Sequence, residues 1–159
     1  MDAVVVGGTA LALLGVVSRQ TRDCDVLDPE IPEEIKRAAR EFAASRRAAG
    51  ESLEDGWFNN GPASLTRQLP DGWKERIEQV FGGKALTLHS LGRTELLMSK
   101  LFALCDRGVD IQDCIALGPT PDELARILPW LSAQDLNPDW PAHVRATVAD
   151  LARRLGHAV

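Results

Sequence analysis

Residues 3–9 read Ala-Val-Val-Val-Gly-Gly-Thr and residues 23–25 read Asp-Cys-Asp, with thirteen residues between the two stretches. The apolar residues 3–6 are too few to cross a membrane and predict a buried strand. The glycine pair predicts a tight turn, and residues 9–17 predict a helix with Thr9 as its N-cap. A second strand is expected to carry both acids, whose side chains then point to one face because they are two residues apart.

This arrangement predicts a site for a divalent cation and a phosphate. Asp23 and Asp25 supply two hard oxygen ligands, which suit Mg²⁺ when nucleotide phosphates complete its shell. Gly7 and Gly8 would let backbone N–H groups approach a phosphate at the start of the helix, where the dipole favours negative charge. A Gly-Gly turn or an Asp-x-Asp strand end alone is also common in solvated loops, so the combination carries the prediction.

The same residues resemble the signature of the nucleotidyltransferase (polymerase beta-like) superfamily, which is Gly-Gly-Ser/Thr, a helix, and then Asp-hydrophobic-Asp. Thr21-Arg22, just before the acid pair, is similar to minimal prokaryotic members. The resemblance implies an α+β (mixed α/β) fold, with a small mixed sheet packed with helices and a helical C-terminal part. We therefore expect one nucleotidyltransferase-like domain over 1–159, with a sheet-containing core in 1–90 and mostly helix in 91–159. Relatives have a helix before the first strand, whereas this sequence begins at the strand.

The composition excludes several classes of protein. The chain has 159 residues, a net charge of −5, and is 45% hydrophobic and 26% charged, which is typical of globular proteins. No apolar run reaches membrane-spanning length, and the N-terminus lacks the basic flank of a signal peptide. Three cysteines without metal-like spacing favour a reducing, cytoplasmic location. Cys24, between the two acids, is expected to face the core as a small hydrophobe.

The middle of the chain predicts a helix and then a long loop. Residues 32–49 indicate a helix with an apolar stripe of Ile35, Ala38, Ala39 and Phe42. Its five basic residues form either a solvated face or an RNA backbone contact: Lys36, Arg37, Arg40, Arg46 and Arg47. Residues 50–72 predict a loop. Trp57 within it and Trp73 just after it either anchor the loop to the core or stack on a nucleotide base.

The alternation over residues 84–89 predicts a half-buried strand. Many nucleotidyltransferases place a third carboxylate on a later strand, but the outward positions here are Thr87 and His89. His89 is either a ligand or a structural residue. Mg²⁺ (or Mn²⁺) would therefore be held with fewer acids, or another residue would take the place of the third.

Residues 93–107 predict an amphipathic helix with Lys100 and Arg107 on the edge of its apolar arc. Lys100 would either extend to water or reach nucleotide phosphates. Asp110 is a plausible N-cap of the next short helix, with Asp113 one turn later. Lys, Arg and Asp-x-x-Asp in this order resemble proteins related to the AbiEii and MenT-type toxins. That resemblance implicates Lys100 and Asp113 in activity, Asp110 less directly, and it spans residues 3–117.

Two further helices are expected, one starting at Thr120 and one over residues 140–155. Neither carries residues that predict chemistry.

The sequence thus predicts a Mg²⁺-dependent nucleotidyltransferase that moves a nucleoside monophosphate from an NTP such as ATP to an acceptor hydroxyl. Asp23 and Asp25 would hold the metal, and Asp113 would orient Lys100 or activate the acceptor. Five residues would contact the nucleotide: Gly7, Gly8, Thr9, Lys100 and Arg107. The resemblance implies a toxin–antitoxin or phage-defence component acting on tRNA, other RNA or protein, with a cognate antitoxin as partner and no membrane association. The alternative is a weakly active or inactive nucleotide-binding regulatory or antitoxin-type protein.

Overall fold

The fold is that of a computed structural model, and the residues described are 1–157. It contains two compact units, Met1–Gly92 and Arg93–Val159. The first unit holds a five-stranded mixed sheet and two helices, and the second is helical. The α+β class expected from the sequence is confirmed. None of the helices in residues 1–157 combines the length and the apolar character that crossing a bilayer requires.

The sheet of the first unit has the strand order β3-β2-β1-β5-β4. Its strands are β1 (Asp2–Val6), β2 (Cys24–Asp28), β3 (Phe58–Asn59), β4 (Glu78–Gly82) and β5 (Thr87–Ser90). The central strand β1 runs antiparallel to β2 and parallel to β5, while β2 is parallel to β3 and β4 is antiparallel to β5. Residues 3–6 of β1 are buried, as their apolar run predicts. Strand β4 was not expected, because it is a largely exposed edge strand without hydrophobic alternation.

Helix α1 covers Gly7–Leu13 and follows β1 without a linker. It starts two residues earlier and ends four residues earlier than expected, and the prediction of Thr9 as N-cap is wrong. Thr9 lies inside the first turn, where its hydroxyl donates to the carbonyl of Asp23 instead of accepting from the helix backbone. The helix stops before Gly15, whose φ of +71° is incompatible with a right-handed helix.

Helix α2 covers Glu33–Ala48, and its position agrees with the sequence prediction. Its buried residues are Ala39 and Ala43, whereas Phe42 is 49% exposed, so the predicted apolar stripe is only partly right. Most of its basic side chains pair with acids of the same unit, in the pairs Lys36–Glu30, Arg40–Glu33, Arg46–Glu51 and Arg47–Asp55. These pairs favour the solvated-face interpretation over an RNA contact.

The segment between α2 and β4 contains β3 and two 3₁₀ turns, Ala63–Arg67 and Trp73–Arg76. The indole N–H of Trp57 donates to the carbonyl of Ala39 at 3.1 Å, and its ring lies 5.9 Å from that of Phe42. Trp73 is buried. The anchoring role predicted for these two tryptophans is therefore confirmed.

The second unit contains α3 (Arg93–Arg107), α4 (Ile111–Leu117), α5 (Pro121–Ser132) and α6 (Trp140–Arg154). The apolar arc of α3 is buried as its periodicity predicts. Helix α5 begins with a capping box in which Thr120 and Glu123 satisfy each other's backbone N–H groups. Arg93 adds two hydrogen bonds to the Glu123 carboxylate, at 2.6 and 3.0 Å, and these hold the start of α3 against α5.

Candidate active site

The turn between β1 and α1 places Gly7 directly beside the carboxylate of Asp25. In the antiparallel register Asp25 lies opposite Val6, the last residue of β1, so its side chain stands next to the first residue of the turn. A Cβ built on Gly7 would lie only 2.9 Å from Asp25 Oδ2, and the φ of Gly7 is +68°. Both the close approach and the backbone conformation therefore require glycine at this position.

Gly8 is also closely approached. A Cβ on Gly8 would lie 3.0 Å from the hydroxyl oxygen of Thr21 and 3.6 Å from Nη1 of Arg19. The residue sits at the first turn of α1, where backbone N–H groups are free of intrahelical partners. A cationic group therefore lies beside a stretch of backbone that carries no side chain.

Asp23 lies outside the strand, contrary to the sequence prediction. Strand β2 begins at Cys24, so the alternation argument applies to Asp25 and does not place both carboxylates on one face. The hydroxyls of Thr9 and Thr21 donate to the carbonyl of Asp23 at 2.7 and 3.0 Å. These bonds occupy the carbonyl that a strand neighbour would otherwise use, and they fix the backbone that carries the exposed Asp23 side chain.

Asp25 is partly buried and is held by a residue that the sequence did not identify as a site residue. Asn59 lies directly opposite Asp25 on the parallel strand β3, and its amide nitrogen donates to Asp25 Oδ1 at 3.2 Å. Within residues 1–157 there is no group of three or more His, Cys, Asp or Glu side chains placed to hold a metal ion. The hint in the sequence was the Asn-Asn pair after Trp57-Phe58, but only the strand register shows which carboxylate it meets.

Cys24, between the two acids, faces the core as expected and is 8% exposed. The pKa of its thiol is raised to about 11, mainly by burial; a hydrogen bond with Thr9 lowers it by less, and the Asp25 charge adds a small increase. The thiol therefore stays protonated near neutral pH, which argues against a role as nucleophile or metal ligand.

In the helical unit, Lys100 forms a buried ion pair. Its Nζ lies 2.7 Å from Asp113 Oδ2 and 3.1 Å from Asp110 Oδ2, and the side chains of Lys100 and Asp113 are 5% and 3% exposed. The alternative in which Lys100 extends to water is therefore wrong. Buried charges of this kind are tolerated because each finds an opposite charge and a hydrogen bond.

Asp110 occupies the N-cap position of α4 as predicted, but its side chain does not cap the helix. It has a left-handed backbone, with φ of +69°, and its carboxylate contacts Lys100 instead. Arg107 is exposed in the last turn of α3, while Lys100 is buried in the middle of that helix. The structure therefore brings Lys100, Asp110 and Asp113 together and leaves Arg107 at the surface.

Comparisons with known proteins give a single informative result. No curated protein matches the chain, and no solved structure matches it either. A family model described as "Nucleotidyltransferase of unknown function (DUF6036)" matches residues 1–118, which include strands β1 and β2, Asn59, and the contacting residues Lys100, Asp110 and Asp113. The chain therefore belongs to this nucleotidyltransferase family.

Proposed function

We propose that this protein is a Mg²⁺-dependent nucleotidyltransferase that transfers a nucleoside monophosphate from an NTP to an acceptor hydroxyl. The observation that carries the proposal is the approach of Asp25 Oδ2 to Gly7, where a carboxylate and a side-chain-free turn share one corner of the sheet. Binding of a metal ion beside a phosphate site would account for a carboxylate that is held against this turn.

We infer that this corner would hold a divalent cation through one or two carboxylates. Asp25 Oδ1 is occupied by the Asn59 amide, while Oδ2 faces the turn. Asp23 would supply a second carboxylate; its side chain is exposed, and two threonine hydroxyls fix its backbone. We assign the metal to Asp23 and Asp25, since hard oxygen ligands from one or two carboxylates are what Mg²⁺ uses in nucleotide sites. When bound, Mg²⁺ would neutralise charge on the phosphates and favour in-line displacement.

The turn supplies the proposed phosphate contacts. Gly7 and Gly8 have no side chain to keep an anion from their backbone, and Thr9 holds the turn to the carbonyl of Asp23. The guanidinium of Arg19, which the sequence prediction omitted, lies beside Gly8 and adds a cation that suits phosphate oxygens. Together these groups would bind and orient the triphosphate.

Lys100, Asp113 and Arg107 remain assignments by resemblance. Of the two roles expected for Asp113, holding Lys100 is the one supported by their 2.7 Å contact. Because Lys100 is already paired with two carboxylates, any phosphate that it neutralises must compete with Asp110 or Asp113 for its N–H donors. Arg107 is exposed and so accessible to an anionic substrate.

The acceptor and the biological setting rest on resemblance to the AbiEii and MenT-type toxins. We propose a toxin–antitoxin or phage-defence component that modifies tRNA, other RNA or protein. The alternative, a nucleotide-binding regulatory or antitoxin-type protein without turnover, makes a different prediction in the same assay.

The test is transfer of label from each α-³²P NTP, in the presence of Mg²⁺, to total RNA and to cell lysate protein. We expect one NTP to label a discrete acceptor and Asp25→Asn to abolish the labelling. Asp28→Asn is the matched control, because Asp28 belongs to the same strand but pairs with Lys74 at 2.8 Å. Binding of the NTP without labelling of any acceptor would favour the regulatory alternative, and label from γ-³²P alone would indicate phosphoryl transfer instead.

A further inference from the structure

Strand β3 consists of only two residues, yet it completes a row across three strands. Val6 of β1 lies opposite Asp25 of β2, and Asp25 lies opposite Asn59 of β3. Residues that lie directly opposite each other on neighbouring strands point to the same face. Asn59 is therefore placed by register, and not by a flexible loop, beside the carboxylate that faces the Gly7 turn.

The orientation of the Asn59 amide follows from its hydrogen bonds. Its Oδ1 accepts from the backbone N–H of Gly61 at 2.6 Å, a contact that the amide nitrogen could not make because both groups would be donors. The nitrogen is then the donor on the other side, and it donates to Asp25 Oδ1 and to the carbonyl of Gly56, both at 3.2 Å. Gly61 itself must lack a side chain, since a Cβ there would be 2.8 Å from Asn59 Oδ1.

The next residue holds the neighbouring backbone. The Asn60 amide nitrogen donates to the carbonyls of Val26 and Pro29, and its oxygen accepts from the N–H of Ile31. One of these bonds ties the segment that carries Asn59 to strand β2, which carries Asp25, and the other two tie it to the residues just after that strand. The separation between Asn59 and Asp25 is therefore well determined by the surrounding structure.

We infer that Asn59 sets the cation affinity of the Asp25 site, so that the metal enters as part of a metal–NTP complex and does not bind first on its own. This inference rests on the proposed function. An amide nitrogen orients the Asp25 carboxylate but adds no negative charge and cannot ligate a cation. The affinity of oxygen-based sites rises with the number of charged ligands, so a site limited to Asp23 and Asp25 needs the phosphates to complete it.

Two substitutions of Asn59 should change metal binding in opposite directions. Asn59→Asp places a carboxylate oxygen where the amide nitrogen lies, within about 3 Å of Asp25 Oδ1. Two carboxylates at that distance repel each other unless a cation lies between them, so free metal should bind more tightly. Asn59→Ala removes the donor and leaves the Asp25 side chain free to change rotamer, which weakens binding of the metal–nucleotide complex.

The experiment measures Mn²⁺ binding by electron paramagnetic resonance, with and without a non-hydrolysable α,β-methylene NTP analogue. We expect the wild type to bind free Mn²⁺ at least about tenfold more weakly than Mn²⁺ with the analogue, and Asn59→Asp to bind free Mn²⁺ at least about tenfold more tightly than wild type. Asn137→Asp is the matched control, because Asn137 is exposed and its oxygen accepts from the Asp139 N–H, a bond that aspartate keeps.

Thermal melting shows whether a substitution at position 59 disturbs folding. If it does, a variant at another position can still test the inference. Gly61→Ala leaves Asn59 in the sequence but forces its amide to move, and should weaken the metal–analogue complex as Asn59→Ala does. A steady-state comparison should show that Asn59→Ala and Gly61→Ala raise KM for the metal–NTP complex, as expected when binding of that complex is weakened.

Equal Mn²⁺ affinities for wild type and Asn59→Asp, or tight binding of free Mn²⁺ by the wild type, would overturn the inference while leaving the proposed function intact. Failure of the wild type to bind Mn²⁺ even with each of the four NTP analogues would instead refute the proposed function, and this inference with it.

Discussion

Replacing Gly7 by alanine tests whether the contact between the turn and Asp25 matters for activity. The chain offers a matched control, because Gly7 and Gly15 both have a positive φ, of +68° and +71°. A Cβ on Gly7 would lie 2.9 Å from Asp25 Oδ2, whereas a Cβ on Gly15 would meet no atom within 4 Å. The two alanine variants therefore share the backbone strain and differ in the clash with the carboxylate.

The expected stability changes follow from the backbone strain and from the clash with Asp25. A left-handed conformation costs an alanine roughly 1–2 kcal/mol, and the reduced entropy of the unfolded chain returns about 0.4–1 kcal/mol. Gly15→Ala should thus lower the free energy of unfolding by about 1 kcal/mol. Gly7→Ala should lose about 1–2 kcal/mol more, because Asp25 must move and its hydrogen bond from Asn59 is weakened or broken.

The activity change should be larger than the stability change. To restore an ordinary contact of 3.4 Å or more, the Asp25 carboxylate must shift by about half an ångström. Displacing a reacting group by about 1 Å can cost about 10²-fold in rate, so we expect Gly7→Ala to lose about 10- to 100-fold in transfer of label. Gly15→Ala should remain within about twofold of wild type.

Urea denaturation gives the stability of each variant, and transfer from α-³²P NTP gives the activity at a temperature where both are folded. Rates close to that of wild type in both Gly7→Ala and Gly15→Ala would refute the reasoning, because the carboxylate would then have no function against the turn. Equal loss in both variants would show that strain in the backbone, and not displacement of Asp25, controls the activity.

Three further predictions concern stability and reactivity. Lys100→Met should lower the free energy of unfolding in urea by about 3–5 kcal/mol, because it removes the counter-charge of the buried Asp113 carboxylate. Adding Asp113→Leu should recover much of this loss. A loss below about 1 kcal/mol for Lys100→Met would contradict a buried ion pair. Hydrogen bonds from Arg93 lower the pKa of Glu123 from 4.5 to about 2, so their stabilisation is complete above pH 4.5 and is lost as the pH falls towards 2. We expect Glu123→Gln to lower the free energy of unfolding by about 1–2 kcal/mol at pH 7, a value that allows for the half-exposed Arg93. The urea midpoints of wild type and Glu123→Gln should converge in acid. A stability difference that does not change with pH would show that it does not arise from ionisation of Glu123. Burial raises the pKa values of the three cysteine thiols to about 11, 11 and 12, so a disulfide reagent at pH 8 should label them only as fast as the chain unfolds, and immediate labelling of any one would contradict their burial.

Much of the fold could be predicted because local patterns and packing agree. The apolar run of β1, the amphipathic periods of α2 and α3, and the capping sequence of α5 each indicate the element that forms. Prediction failed where local patterns were weak. Strand β4 is an exposed edge, and the start of α1 is set by the conformation of Gly7 and not by the capping preference of Thr9.

The sequence alone determined the family, the mixed α/β architecture, and the presence of two acids after a glycine turn. The family and the architecture follow from the resemblance to nucleotidyltransferases, and the turn follows from residue order, since a glycine pair between a strand and a helix fixes the local path of the chain. Residue order also pointed to Lys100 and Asp113, through resemblance to relatives.

Only the tertiary structure decided which groups meet. Strand register brings Asp25 to Gly7 and sets Asn59, thirty-four residues further along the chain, against the same carboxylate. Burial made Lys100 an ion-paired residue instead of a solvated one. Such contacts depend on pairing between distant segments and on the exclusion of water, and neither is encoded in the spacing of residues along one segment.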